Sequence, residues 1–364
     1  MQLMNARDRH ALPAARDGAD PGDERQRLYE RMAPHGLTPL WEVLHALVPK
    51  EPAVKTRPVH WRWVDVAPFL EASGRVITAE EAVRRVLILE NPGWRGQSRA
   101  TSTLYAGLQL ILPGEVAPSH RHTQSALRFI VSGGGAYTAV DGERTTMHPG
   151  DFIITPAWTW HDHGNEGQEP VVWLDGLDIP IVQFFEAGFA ENDGRKSQPV
   201  RRAEGTSLAR FGSAMLPLQS HSPFGATSPI FSYPYARTRD ALEHLARTSA
   251  PDPHRGLCLR YANPLTGGHA MPTIAAWMQW LPAGFGTQPW RSTAGAVYSV
   301  VEGRLRATVT QQGEASVFEA GPRDHFVVPP WATLQLQADS TAVLFGYSDA
   351  PLQQSAGLLR EEAL

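Results

Sequence analysis

Short runs in which apolar residues alternate with polar ones make up much of the chain, and helical spacing is confined to a few segments. In DERQRLYERM, Leu28 and Met32 fall four apart with Asp23 placed as an N-cap, which predicts a helix. TAEEAVRRVLILENPG predicts a second, opened by a capping box of Thr78 with Glu81 and ending before Pro92. From Leu104 the pattern is that of strands. LYAGLQLIL, ALRFIV, GAYTAV, DFIITP and VVWLDGL follow one another, separated by Gly and Pro as in antiparallel sheets joined by tight turns. Residues 186 to about 235 are irregular, the helix ARTRDALEHLARTS follows, and a second β region runs from Leu257 to about Tyr347. Strands and helices do not alternate, which disfavours an open α/β sheet, and a sandwich or barrel is expected.

The second β region resembles a degraded copy of the first. Gly114 and Gly284 are 170 positions apart, as are Gly133 and Gly303, which close the similar segments RFIVSG and YSVVEG. GDFIITPAW likewise resembles GPRDHFVVPPW, with two extra residues in the later copy. A repeat this long means duplicated domains rather than a solenoid.

Composition narrows the function. With 32 Gly and 30 Pro among 364 residues, the chain is turn-rich. A net charge of -4 disfavours a nucleic-acid binder held by phosphates. The single cysteine, Cys258, excludes an intrachain disulfide and a thiolate metal cluster. The first 22 or so residues read as a loose arm with no apolar core between their charges, hence no secretory signal, and no run is long enough to span a membrane. A soluble, cytoplasmic protein is expected.

The most informative segment runs from Gly114 to Gly133. His120 and His122 are two apart, so on a strand both imidazoles share a face. About forty residues later, GDFIITPAWTWHDHGN supplies His161 and His163 after another strand, and antiparallel pairing would bring His161 opposite the first pair. Three neutral nitrogen ligands leave a divalent charge uncompensated and several octahedral positions open. Iron(II) suits such a site where dioxygen is activated, whereas zinc would serve hydrolysis or structure.

These residues carry a family resemblance. Gly114, five residues, then His120, Arg121 and His122, followed by Gly150, five residues, Pro156, and later His161 and Asn165, resemble the two motifs of cupins. The usual glutamate ligand, which should fall near Ala126 or Leu127, is missing. Within that superfamily the run from NPGWRGQ through VVWLDGLDIP resembles gentisate 1,2-dioxygenases and their salicylate- and 1-hydroxy-2-naphthoate-cleaving relatives, which dispense with that glutamate. The resemblance implies an all-β dominated fold of two cupin (double-stranded β-helix, jelly-roll) barrels with a helical N-terminal arm, commonly assembled as a homotetramer. It implies one Fe(II) per subunit, held by His120, His122 and His161 in the N-terminal barrel, with O2 as co-substrate and a small aromatic hydroxy acid as substrate. Gentisate cleaved between C1 and C2 would give maleylpyruvate. Salicylate or 1-hydroxy-2-naphthoate is the same-class alternative. A zinc or manganese isomerase or hydrolase, or a storage-type binding protein, is the alternative of another class. In the second copy Trp290, Ser292 and Leu334 occupy the ligand offsets, so that barrel should be metal-free.

The domain boundaries follow. Residues 1–95 form the helical arm and strands packing on the barrels, 96–185 the catalytic barrel, 186–252 a crossover with a helix, 253–350 the metal-free barrel and 351–364 a tail. Arg128 lies at an even offset from His120 and His122, so its fork faces the same cavity and can hold the substrate carboxylate, a surface ion pair being the alternative. By resemblance Gln109 contacts substrate or oxygen. His163 is a candidate acid or base, or a fourth ligand, and Asp175 a candidate to orient His163 or accept a substrate proton. Gln124, Trp158, Trp160, Trp173 and Tyr105 are candidate pocket residues, Tyr105 setting the width that separates benzoic from naphthoic substrates. Arg84, in a basic cluster with Arg85, Arg95 and Arg99, is a candidate to meet the acid substrate.

Overall fold

The computed structural model describes residues 21–364, and the expected loose arm lies outside them but for its last positions. The chain divides into two compact units, one ending at Ala53 and the other spanning Val54–Leu364. In the first, helix α1 (Pro21–Met32) and helix α2 (Leu40–Leu47) are tied by Tyr29, whose hydroxyl donates to Glu42 and accepts from Trp41 Nε1 at 2.7 Å. Because α1 begins at Pro21, Asp23 sits inside the first turn, where its charge faces the positive end of the helix, and is not the cap.

The second unit opens with strand β1 (Val59–Trp61), helix α3 (Trp63–Val76) and the single turn α4 (Ala79–Ala82). Thr78 caps α4, its hydroxyl accepting from the Glu81 amide at 3.1 Å. The helix expected to continue toward Pro92 does not form. Val83 turns to φ 55°, and Val86–Ile88 becomes strand β2. Two tertiary contacts override the helical spacing: Arg85 is held by the Ile77 carbonyl and by both Glu115 carboxylate oxygens at 2.8 Å, and β2 pairs antiparallel with the next strand, Val86 opposite Gln109.

The first copy then contains β3 (Tyr105–Ile111), β4 (Val116–His122), β5 (Ala126–Ser132), β6 (Ala136–Val140), β7 (Glu143–Thr146), β8 (Phe152–Thr155), β9 (His161–Asn165) and β10 (Val171–Leu177). Helix α5 (Ile179–Phe184), strand β11 (Ala190–Asn192), helix α6 (Thr206–Phe211), strand β12 (Ser232–Tyr233) and helix α7 (Tyr235–Thr248) form the crossover. The second copy contains β13 (Leu257–Arg260), β14 (Ala275–Leu281), β15 (Trp290–Ser292), β16 (Ala296–Glu302), β17 (Leu305–Gln311), β18 (Glu314–Ala320), β19 (His325–Val328), β20 (Thr333–Ala338) and β21 (Ala342–Ser348), followed by helix α8 (Ala350–Ser355) and strand β22 (Glu361–Ala363).

Each copy is a pair of antiparallel sheets. The first has the six-stranded order β12-β8-β5-β10-β3-β2 and the five-stranded order β11-β4-β9-β6-β7, the second β1-β19-β16-β21-β14-β13 and β18-β17-β20-β15-β22. An apolar cluster including Ile130, Val140, Ile153 and Trp173 fills the space between the first pair, and one including Tyr298, Val309, Phe326 and Leu336 fills the second. The two six-stranded sheets meet over a third cluster, in which Phe129 stacks on Phe345 at 4.2 Å and Tyr347 donates to the Tyr105 carbonyl at 3.0 Å. The repeat is real at the level of backbone. Gly133 and Gly303 have φ of 75° and 76°, and a Cβ on either would lie 2.0 or 2.1 Å from a carbonyl oxygen, of Pro170 or Thr341 respectively. Among the described residues no helix is long and apolar enough to cross a membrane.

Candidate metal centre

Strand β4 presents His120 and His122 on one face, and β9 pairs with it so that His161 lies directly opposite His120. The three rings converge, with centroids 4.0 Å apart for His120 and His161, 4.8 Å for His122 and His161, and 5.3 Å for His120 and His122. One nitrogen from each lies within 4.8 Å of the other two. Each Nδ1 lies beside a backbone carbonyl: Thr159 at 2.8 Å from His161, Gln124 at 2.8 Å from His122 and Pro118 at 3.2 Å from His120. For His122 and His161, donation from Nδ1 to these carbonyls sets the tautomer that leaves the Nε2 lone pair for another purpose. Nε2 of His161 is buried with no hydrogen-bond partner at all. Burial, reinforced by neighbouring cations, lowers the pKa of His120 to about 3, and burial lowers that of His122 to about 4 and holds that of His161 far down as well, so all three are neutral at pH 7. Three converging neutral imidazoles, one of them with its Nε2 buried and unsatisfied, form a donor set suited to a divalent transition metal.

Next to this cluster lies a group of buried polar side chains. Arg128, on β5, reaches Thr155 Oγ1 through one Nη and lies 3.6 Å from the Asp175 carboxylate through Nε. Asp175 also accepts from Trp173 Nε1 at 2.9 Å. Desolvation raises the Asp175 carboxyl to about 6 against the opposing pull of Arg128. His163 is fully buried, its Nδ1 2.9 Å from the Thr138 hydroxyl and its Nε2 without a partner. The Thr138 hydrogen points to Met147 Sδ at 3.4 Å, so the oxygen accepts from His163. Asp175, the candidate for orienting His163, makes no hydrogen bond to it: Thr138 bonds His163, and Asp175 bonds Trp173 and faces Arg128. Gln109, on β3, is buried against a small hollow shared with Arg84. The Arg84 guanidinium touches both ring nitrogens of His120, Nε2 at 2.9 Å, and donates to the Pro118 carbonyl at 3.1 Å. A metal ion and this arginine compete for the same Nε2 lone pair.

Other candidates are placed differently. Trp158 is 40% exposed, and Arg121, which points away from the histidines at an odd offset, packs over Trp158 at 4.5 Å and Trp160 at 4.6 Å. These two tryptophans clamp an arginine outside the cluster and do not wall it. Trp173 is buried in the apolar cluster between the sheets, its ring 5.6 Å from that of His163. Tyr105 is buried beside Gly107, and Asp175 helps burial to raise its hydroxyl pKa. Gln124 contributes its backbone carbonyl to His122. Arg85 is structural, bound to Glu115, and Arg99 lies over Trp94 at 5.2 Å. Thr138 and Thr155 were missed, although their positions on strands flanking His163 and Arg128 were readable from alternation.

In the second copy Trp290 lies opposite Leu334 in the register that His120 and His161 have in the first. The Trp331 amide donates to the Ser292 carbonyl at 2.6 Å, as the Trp158 amide donates to His122 at 2.7 Å. An indole, a hydroxymethyl and an isobutyl group stand where three imidazoles stand in the first copy.

Residues 107–177 match the model of a cupin domain. A gentisate 1,2 dioxygenase 1 of Aquipseudomonas alcaligenes is 52% identical over 338 residues, covering 93% of this chain and 96% of that relative. The chain belongs to the gentisate and salicylate 1,2-dioxygenase family. A 5-aminosalicylate 1,2-dioxygenase of Comamonas sp. is 36% identical, covering 92% of this chain and 89% of its own. The crystal structure of a salicylate 1,2-dioxygenase from Pseudaminobacter salicylatoxidans matches with a TM-score of 0.85 at 33% identity, over 96% of this chain and 99% of that one. A member of this ring-cleaving dioxygenase family needs a metal, and His120, His122 and His161 are the one group of three metal-competent side chains found among the described residues.

Proposed function

We propose that this protein is an Fe(II)-dependent gentisate 1,2-dioxygenase that opens 2,5-dihydroxybenzoate between C1 and C2, both atoms of O2 entering the product maleylpyruvate. The observation that carries this reading is the convergence of three neutral imidazoles on one point, with Nε2 of His161 buried and without a partner and that of His120 contacted only by Arg84. The identity of 52% to a protein named gentisate 1,2 dioxygenase supports the choice of substrate. Iron(II), held by His120, His122 and His161, supplies the redox couple that ring cleavage by dioxygen requires.

The rest is the work of the chain's own side chains. Arg128, buried and held by Thr155 and Asp175, offers its fork to the substrate carboxylate. Arg84, which contacts His120 at 2.9 Å, would have to give up that Nε2 to a metal held by His120, His122 and His161, and would then be a second cation available to that carboxylate. His163, locked by Thr138, presents a buried Nε2 that can take the proton of a substrate hydroxyl, while Gln109 lines a small hollow with Arg84. Residues 96–185 and 253–350 form the two barrels, one catalytic and one without metal, with 1–95, 186–252 and 351–364 as arm, crossover and tail. Phe184, Phe185 and Phe189 are each at least 63% exposed, which supports assembly with further copies, here taken as a homotetramer in the cytoplasm.

Relatives named for salicylate and 1-hydroxy-2-naphthoate keep those acids as the second reading. Iron analysis and oxygen uptake, read with absorbance of the ring-opened product for gentisate, salicylate and 1-hydroxy-2-naphthoate, decide between them. Gentisate should give the highest kcat/KM. Faster turnover of either other acid would replace the substrate, and absence of oxygen uptake by iron-loaded protein would remove the function.

A further inference from the structure

The second copy has lost the metal ligands but not the space around them. A cavity of about 490 Å³ opens there, lined by Trp290, Ser292 and Leu334, the residues in the ligand positions. Its other walls are also counterparts of the catalytic site. Gln279 lies opposite Cys258 as Gln109 lies opposite Val86, so the buried glutamine is retained. Tyr298 pairs with Phe326 and Gly346 as Arg128 pairs with Ile153 and Asp175, so a phenol has taken the place of the deep arginine.

The chemistry of the cavity is thereby turned around. Its interior is aromatic and uncharged: Trp277 stands edge-on to Tyr298 at 5.6 Å, and Trp290 is covered by Arg255 at 4.3 Å. Cations sit at the rim. Arg255 is neutralised by Glu361 at 3.0 Å, but Arg260 and Arg360 bond only backbone carbonyls, those of Gly267, Gly357 and Leu359, and meet no carboxylate among the described residues. Near Arg260, His269 also lines the cavity, its Nδ1 buried without a partner.

We propose that this cavity is a second binding site, for a planar aromatic monocarboxylate inserted ring first, with its carboxylate held at the rim by Arg260 and Arg360. The volume suits one such ligand, the walls supply stacking faces, and two uncompensated guanidinium groups supply the anion partner. With no imidazole at the ligand positions the site binds and does not turn over its guest. This assignment is independent of which acid the first copy cleaves.

Benzoate, which lacks the hydroxyl needed to chelate a metal, is the probe. Equilibrium dialysis against the full, iron-loaded chain should give saturable binding, with a dissociation constant on the order of 1 mM or tighter for a ligand of this size. The same binding should persist in His122→Ala, whose catalytic centre is disabled. It should weaken roughly five- to tenfold in Arg260→Ala/Arg360→Ala, a pair of exposed changes that leave the core intact, and by a similar factor when neutral benzamide replaces benzoate. Ser292→Trp, filling the cavity, should abolish it. Uptake lost in His122→Ala but unchanged in the rim variant would place benzoate in the first copy and overturn the proposal. So would the absence of saturable binding to the wild type, whether because the cavity stays empty or because a segment of a neighbouring copy fills it.

Discussion

The two copies share a backbone plan and differ in what their facing strands carry. In the first, β4 and β9 bring His120, His122 and His161 to one point and surround them with Arg128, Asp175 and His163, all buried. In the second, β15 and β20 bring Trp290, Ser292 and Leu334 to the corresponding point, and the cations have moved outward. The framework is thus separable from the chemistry. Glycine turns and strand register hold the architecture, and a few inward-facing positions decide whether the hollow binds a metal or an organic guest.

The sharpest way to break this contrast is to truncate the corresponding residues. His122→Ala should abolish bound iron and lower turnover by more than about 10³-fold, or about 4 kcal/mol in activation free energy, whereas Ser292→Ala should leave iron content and oxygen uptake unchanged. Iron analysis and an oxygen electrode measure both. Next in size is the deep cation. Arg128→Met leaves the buried Asp175 without its ion-pair partner, held by Trp173 alone, and should cost about 3–5 kcal/mol in urea unfolding, against less than about 1 kcal/mol for Tyr298→Phe at its counterpart. A similar loss at both sites would mean that the pair adds nothing specific.

A shared role should produce a shared penalty. Gly133→Ala and Gly303→Ala each force a Cβ toward a carbonyl oxygen at positive φ, and each should lose roughly 2–3 kcal/mol, read as matching drops in urea midpoint. Unequal losses would undo the equivalence of the two turns. The smallest effect concerns pH. Asp178, which accepts from the Ser125 amide at 2.9 Å and from Thr273 at 2.6 Å, has its carboxyl raised by burial from 3.8 to about 6. Its protonated form is the one the fold favours, so its contribution is complete below the unfolded value and is lost as pH rises through about 6. Relative to Asp178→Asn, the wild type should lose about 2 kcal/mol between about pH 4 and about pH 6. A pH-independent difference between the two proteins would sink that assignment.

Much of the catalytic copy was readable because strands have a period of two. The HxH spacing places two imidazoles on one face of any regular strand, and the even offset of Arg128 aims it at the same space. The duplication was visible in Gly133 and Gly303 because no side chain fits where their turns pass a carbonyl. What failed depended on neighbours distant in sequence. The segment after Thr78 has helical spacing, yet Glu115 and β3 draw it into a sheet. Trp158 and Trp160 follow a strand and read as cavity walls, but Trp158 turns at φ 57° and both flank Arg121 on the opposite side. The partner of His163 was misjudged because Asp175 has the stronger chemistry, whereas Thr138 has the position. The second cavity had no signature, since its interior reads as ordinary core.

The pairing of β1 with β19 has a consequence for how the molecule comes into being. Val59, His60 and Trp61 lie against Val327, Phe326 and His325, and His60 reaches Asp324 across 264 residues. β12, from the crossover, completes the sheet of the first copy in turn. During synthesis the β1 segment must wait for its β19 partner until residues 325–327 have left the ribosome, so the first copy can close while the second is still open. Such long-range closure is slow and exposes a strand edge in the interval. A nascent chain halted before residue 325 should therefore already be able to form its histidine cluster while offering that bare edge to chaperones.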